Sequence, residues 1–382
     1  MTGLSLALLA VAGLGLAVLG VEGRALRRQL AGPVPVPRAE AWISVLKPLR
    51  GVDDGLEANL ASFAGQEGSR FEVLLGLRDA SDAAGPVARA AEVRWPGRFR
   101  VVLQGPDLGM NPKVSQLSTL VAAARHPILV ISDSNVRVEP GYLAEIAARL
   151  EDPGVGLVTH LIAGIGERSR GALLQNLHLA GGVATGIAAA KQIARRDVVM
   201  GKSMALRRED LVAMGGLEPV KDLLAEDYVL GQMVSRLLGK RVELASRPVQ
   251  NVVQDATILE FFHRARRWAV LQRALVGPWL YAAQAIQNPV LVATVALVAA
   301  PAAWTAVAWL AVAGARALLD GAAGAALRPA GFRLGQLLWV PAKDLLFGLA
   351  WVEGFFRRTV NWRGNRLRVL PGTRLAPPEP PR

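Results

Sequence analysis

Apolar positions along the chain come in two kinds of run, long uninterrupted ones and short alternating ones. Residues 1–21 carry no charged side chain, and Arg24, Arg27 and Arg28 follow closely. A run of ~20 apolar residues spans a bilayer as one helix. In an export signal the positive charge precedes the apolar run, and a small-residue cleavage site follows it. Here the charge follows, so the pattern predicts an uncleaved spanning helix over 1–23 with its C-terminal end in the cytoplasm. A second uncharged stretch, 274–315, is interrupted by Pro278, Pro289 and Pro301. It is about twice the length of one crossing and reads as a tight hairpin or as one long helix with an interfacial lead-in. A third apolar run, 334–356, contains Lys343, Asp344 and Glu353. Charges in lipid are costly, so this run lies at the interface or keeps its charges inside a helix bundle. Arg357, Arg358, Arg363, Arg366 and Arg368 then place the basic end, 357–382, in the cytoplasm, which requires an even number of crossings after the first. From Pro371 the chain is Pro-rich and reads as a loose tail.

Between these parts the period shortens. A basic, Pro-rich linker, 24–40, leads into a region, 41–272, where β runs at 42–46, 71–77, 99–103 and 127–132 alternate with helical runs at 55–63, 83–91 and 113–125. The alternation predicts an α/β domain with a mainly parallel sheet and helices on both faces. Neither G-x-G-x-x-G nor G-x-x-x-x-G-K-[ST] is present, so the usual markers of dinucleotide and Walker-type phosphate binding are missing.

Composition narrows the chemistry. Hydrophobic residues make up 52% of the 382 and charged residues 20%, too apolar for a disordered chain and too charged for a bundle wholly in lipid. There is no cysteine, which excludes disulfides, thiolate nucleophiles and Cys-type metal sites. Lys and Arg exceed Asp and Glu by 44 to 31, a net charge of +13 that suits anionic partners. The basic residues crowd at membrane boundaries and form no aromatic-interleaved strand pair, which argues against nucleic acid. Acidic lipid or a phosphate-bearing substrate remains.

Open parallel sheets bind ligands beyond the carboxyl ends of their strands. Lys47, Asp79 and Asp133 stand at such ends. Asp133 closes the apolar strand 127–132 and is a helix cap or a ligand for something cationic; no helix follows at once, which weakens the cap reading. Glu226 and Asp227 precede a helical run at 228–238. They are a charged first turn or, for Asp227, a general base. Arg264-Ala-Arg-Arg267-Trp268 is an interface anchor or a cationic clamp on phosphate. His160 follows a strand at 155–158 and is a structural histidine or a contact to an acceptor head group.

Together the motifs say more than any one alone. They are Val45-Leu-Lys47-Pro-Leu-Arg-Gly-Val-Asp53, Phe71-Glu-Val-Leu-Leu75, Asn111-Pro-Lys113, Asp133-Ser134, Val155-Gly-Leu-Val158, Ala225-Glu-Asp-Tyr228, Arg264-x-x-Arg267-Trp268 and Asn361-Trp-Arg-Gly364. In this order the chain, over about 1–370, resembles the ceramide glucosyltransferase-like enzymes of glycosyltransferase family 21 and related hopanoid-associated glycosyltransferases. The resemblance implies a GT-A (Rossmann-like) domain on the cytoplasmic side of the inner membrane, anchored by N- and C-terminal helices. It implies an inverting transfer of one sugar from a UDP-sugar to a lipid acceptor. Ceramide comes first; a hopanoid polyol or diacylglycerol, with UDP-N-acetylglucosamine or another UDP-hexose, is the alternative. A processive polysaccharide synthase is disfavoured by the small membrane part. Carried onto this chain, Asp79 lies near the uracil or ribose, and Asp133 holds a divalent cation, Mg²⁺ or Mn²⁺, on the diphosphate. Asp227 deprotonates the acceptor. Arg264, Arg267 and Trp268 grip the diphosphate and border the acceptor entrance, and Lys47 and Lys113 contact the nucleotide. The wider D-x-D pattern would put an acid at 135, where this chain has Asn135. The ceramide-type branch shares that departure, which leaves the metal fewer charged ligands.

Overall fold

The computed structural model describes residues 2–362 and 365–378. Arg363 and Gly364 of the late motif, and the end of the Pro-rich tail, lie outside the described residues. Helix α1 (Thr2–Leu30) continues past the arginines that close its uncharged part. Ala25 and Leu26 are buried against Leu161, Ala163, Ala184 and Leu244. Gln29 Nε2 donates to Leu244 O at 2.7 Å. Burying one leucine is worth ~1.5–3 kcal/mol, so docking on the next domain carries the helix beyond the membrane-length run.

The α/β region opens with β1 (Ala41–Pro48), α2 (Leu56–Ala64), β2 (Ser69–Leu77), α3 (Gly85–Arg94), β3 (Phe99–Leu103), α4 (Pro112–Ala123) and β4 (Ile128–Ser132). These fall within a few residues of the expected elements. Next come β5 (Val136–Arg137), α5 (Tyr142–Leu150), β6 (Val155–Thr159), β7 (Ile162–Ile165), α6 (Arg170–His178) and α7 (Thr185–Gln192). A π-turn, Leu179–Ala184, joins the last two. The region closes with β8 (Ser203–Arg207), α8 (Arg208–Ala213), α9 (Glu226–Leu238), β9 (Arg241–Leu244) and β10 (Val249–Val252).

Seven strands form the main sheet in the order β3-β2-β1-β4-β8-β6-β9. Its strands run parallel except β8, which is antiparallel to β4 and β6. Alternate side chains feed two cores. Val45, Val73, Leu75 and Val130 pack with Leu60, Phe63 and Ile146 on one face. Leu46, Leu74, Leu129 and Ile131 pack with Leu117, Leu120 and Leu230 on the other. Burial on both faces is why these strands are continuous apolar runs in the sequence.

Helix α10 (Ile258–Ala283) starts in a capping box of Thr257 and Glu260 and breaks at Gly277, φ 79°, just before Pro278. It leads to α11 (Pro289–Ala299), α12 (Ala303–Leu327), α13 (Leu334–Leu337) and α14 (Val340–Phe356). Among the described residues, α1 and α12 are long and apolar enough to cross a membrane, and the α10–α11 pair, bent by 82°, is a third only if counted as one span. The stretch 274–315 is therefore not one long helix. It divides among the end of α10, α11 and the start of α12, and α12 runs on through Arg316 and Asp320.

Two charges of the third apolar run, Lys343 and Asp344, are kept inside the bundle, whereas Glu353 is partly exposed and pairs with Arg266 and Arg357. Lys343 Nζ lies 2.5 Å from Asp320 Oδ2, and Arg316 Nε lies 3.1 Å from Asp344 Oδ2. The tail is not loose where it is described. β11 (Thr359–Trp362), β12 (Asn365–Val369) and β13 (Leu375–Ala376) form an antiparallel sheet. Leu375 is buried with Leu224, Val270 and Val360. The Leu224 N–H donates to Thr373 O at 2.9 Å.

Candidate active site

The site forms where β1 and β4 end. Because β8 is reversed, its first residue pairs with the last of β4, Ser203 with Ser132. The residues just beyond, Asp133 and Lys202, therefore face each other. Lys202 Nζ is 3.1 Å from Asp133 Oδ2 and donates to Asn135 Oδ1 at 2.8 Å.

The N-P-K motif opens α4. The Asn111 side chain caps it, accepting from the N–H groups of Lys113 and Val114, and Pro112 takes the first helical position, where no N–H is needed. Asn111 Nδ2 also donates to Leu223 O at 2.6 Å, which ties α4 to the loop before α9. Lys113 Nζ then reaches Asp133 Oδ1 at 3.1 Å, Glu226 Oε1 at 3.2 Å and Gly201 O at 3.0 Å. Burial opposes its charge, but the carboxylates of Asp133, Glu226 and Asp227 outweigh burial and hold Lys113 above the ordinary lysine value.

Asp227 sits in the first turn of α9. Its Oδ2 accepts the Gly201 N–H at 2.7 Å and its Oδ1 accepts its neighbour Tyr228's N–H at 2.8 Å. A Cβ on residue 201 would stand 2.7 Å from that Oδ2, so glycine is what allows the approach. Burial raises the Asp227 pKa above the usual carboxylate range, with Lys113 pulling against it. Glu226 is raised by burial in the same way.

A cavity of about 360 Å³ opens beside Asn135 and is lined by Asp53, Asp54, Asp255, Glu260, His263, Arg264, Arg267 and Asn361, among others. The structure thus brings Arg264 and Arg267 to the mouth of the sheet. Trp268 turns elsewhere: its ring lies 5.4 Å from His178, which stacks on Phe347 at 4.2 Å. It packs the joint between α10, α6 and α14.

Lys47, His160 and Asp79 are not among the residues that line this cavity. Lys47 is fully buried and donates to Ser132 Oγ at 3.2 Å and Asp133 O at 2.9 Å, with its ammonium 4.0 Å over the Phe63 ring. Both hydrogen bonds support the turn that aims Asp133. Burial pulls its pKa down to about 7, against the attraction of Asp133. His160 lies in the core, with Nδ1 2.8 Å from Ser203 Oγ and its ring 4.9 Å from Tyr142. Burial and then the nearby Arg149 lower it to about 3, a neutral core histidine out of reach of an acceptor. Asp79 is exposed, accepts from Ser81 N–H at 2.8 Å, and is not among the cavity-lining residues. Asp53, whose Oδ2 accepts from the Ser134 hydroxyl, and Asp54 are the acids that reach the cavity from the β1 side.

The metal role expected for Asp133 does not fit this donor set. Both its carboxylate oxygens lie within ion-pair distance of ammonium groups, and Asn135, the second position of the pattern, binds one of the same ammoniums. Among the described residues no three His, Cys, Asp or Glu side chains converge on a metal position. Lys202 precedes a strand in the sequence rather than following one. Only the reversal of β8 turns that start toward the site.

Residues 6–375 match the family described as Glycosyl transferase family 21. Ceramide glucosyltransferase 1 of Caenorhabditis elegans is 27% identical over 257 residues, 64% of this chain and 53% of that protein. Ceramide glucosyltransferase of Komagataella phaffii (strain GS115 / ATCC 20864) is 33% identical over 116 residues, 29% of this chain and 23% of that protein. The chain spans about half the length of the first of these relatives and less of the second. Among solved structures, the mannosyltransferase PcManGT from Pyrobaculum calidifontis, in complex with GDP-Man and Mn²⁺, aligns with a TM-score of 0.51 at 19% identity. That alignment covers 91% of this chain and 99% of the other, a likeness of fold.

Proposed function

The chain belongs to glycosyltransferase family 21, and from that premise we propose that it moves one sugar from a UDP-sugar to the hydroxyl of a membrane lipid, ceramide first, with inversion at the anomeric carbon. The observation that carries this is the setting of Asp227. Two N–H donors fix its carboxylate, burial makes it more basic than a free carboxylate, and it stands within the charge network of Lys113 and Asp133. A base of that kind takes the acceptor proton while the acceptor oxygen attacks the sugar from the face opposite the leaving diphosphate. Arg264 and Arg267, at the cavity, stabilise the charge that builds on UDP. The same helix α10 runs on into the apolar helices, so a lipid hydroxyl has a short path from the bilayer. In this reading α1, the bent α10–α11 pair taken as one span and α12 cross the inner membrane, so the α/β domain and the C-terminal sheet both face the cytoplasm, where nucleotide sugars are. A hopanoid polyol or diacylglycerol is the alternative acceptor.

The test is detergent-solubilised protein incubated with a panel of UDP-sugars and with ceramide or bacteriohopanetetrol, read by mass spectrometry. One lipid should gain one sugar, and Asp227→Asn should abolish that product while leaving UDP binding. Transfer that persists in Asp227→Asn would remove the base assignment. Failure to bind any UDP-sugar would remove the donor.

A further inference from the structure

Lys202 bridges the two positions where a D-x-D pattern would have acids. Its ammonium bridges residue 133, at Asp133 Oδ2 3.1 Å, and residue 135, at Asn135 Oδ1 2.8 Å. A metal there needs carboxylates, because hard dications prefer charged oxygen ligands. At positions 133 and 135 the chain offers one carboxylate, already shared with Lys113 at 3.1 Å, and a neutral amide. A dication entering would meet two ammonium groups around its one acidic ligand.

The two lysines are not equivalent. The Lys113 side chain is 7% exposed and enclosed by protein acceptors, whereas that of Lys202 is 22% exposed. Lys202 bonds Asn135, which lines the cavity together with Arg264 and Arg267. Lys202 itself lies just behind that lining, close enough to Arg264 for their charges to interact. The backbone holds it there: Lys202 lies between Gly201, whose N–H donates to Asp227, and Ser203, the first residue of β8.

We infer that Lys202 serves as the enzyme's built-in cation, contacting the diphosphate of the nucleotide-sugar at the position of a metal, so that donor binding needs no divalent ion. In the transfer, the acceptor oxygen bonds to the anomeric carbon, and the bond from that carbon to the diphosphate oxygen breaks. The bonding electrons leave with UDP, and Asp227 takes the acceptor proton. Lys202 keeps its own proton and neutralises charge on the departing diphosphate, as a charge-assisted donor does. The inference rests on the UDP-donor reading above.

The experiment titrates UDP into the full-length protein in detergent by calorimetry, with EDTA or with Mn²⁺. Wild type should bind UDP in EDTA within about threefold of its affinity in Mn²⁺. Lys202→Gln should weaken UDP binding about tenfold or more, the worth of one charged hydrogen bond. Lys202→Arg, which keeps the charge, should stay within about threefold of wild type. Binding that appears only with Mn²⁺ would overturn the inference and leave the UDP donor standing. So would a Lys202→Gln protein that binds as wild type. No UDP binding under either condition would overturn the inference and the donor reading together.

Discussion

Asp227, the proposed base, is set by the residues that touch it. Burial raises the Asp227 pKa above that of a free carboxylate, and Lys113 restrains the rise. The carboxylate is the form that accepts a proton, so activity should climb with pH as Asp227 ionises and then level off. The midpoint of kcat/KM against pH is therefore expected above the ordinary aspartate value of ~4. A midpoint at or below that value would mean that Asp227 is not a desolvated base. Lys47 and Lys113 show how alike two lysines are in sequence and how differently they act. One is buried over an aromatic ring and aims the Asp133 turn. The other joins three segments through Asp133, Glu226 and Gly201.

Elements are joined by polar contacts where a purely apolar bundle would leave them free to slide. Lys343 of α14 sits fully buried between Asp320 of α12 and Asp344, while Arg316 spans Asp344 and the Gly181 carbonyl in the π-turn. Gly181 has no room for a side chain, since a Cβ would stand 1.9 Å from Asp320 Oδ1. Removing one partner of a buried ion pair leaves an uncompensated charge and costs about 3–5 kcal/mol. Lys343→Ala is thus expected to lower the melting temperature sharply in detergent. The paired change Lys343→Met with Asp320→Leu should recover much of the loss. Equal melting temperatures for wild type and Lys343→Ala would show that the network does not hold the bundle.

At the scale of the whole molecule, both ends of the chain fold onto the catalytic domain. Helix α1 docks its last turns on β7, α7 and β9 through Leu26 and Gln29. The C-terminal sheet packs beside α10 and bonds the loop that precedes Asp227, Leu224 to Thr373 and Leu375 to Asp222. Ending the chain after Leu370 should loosen that loop and lower kcat about tenfold or more, because small displacements of a catalytic group are costly. The KM for the donor should change little. An unaltered kcat would leave the C-terminal sheet without a part in positioning the base. Local pattern alone reveals the apolar helix at the start and the alternating strands and helices up to β4, and the order of short motifs, through a family resemblance, singles out Asp133, Asp227, Arg264 and Arg267. Each of those depends on period, length or neighbours close in sequence. Pairing between distant segments decides the rest. The reversed β8 brings Lys202 onto Asp133, the fold buries Lys47 and His160, and the tail returns to the loop before Asp227. Such contacts arise where strands from separate parts of the chain meet, and nothing in a short stretch of sequence fixes which ones will.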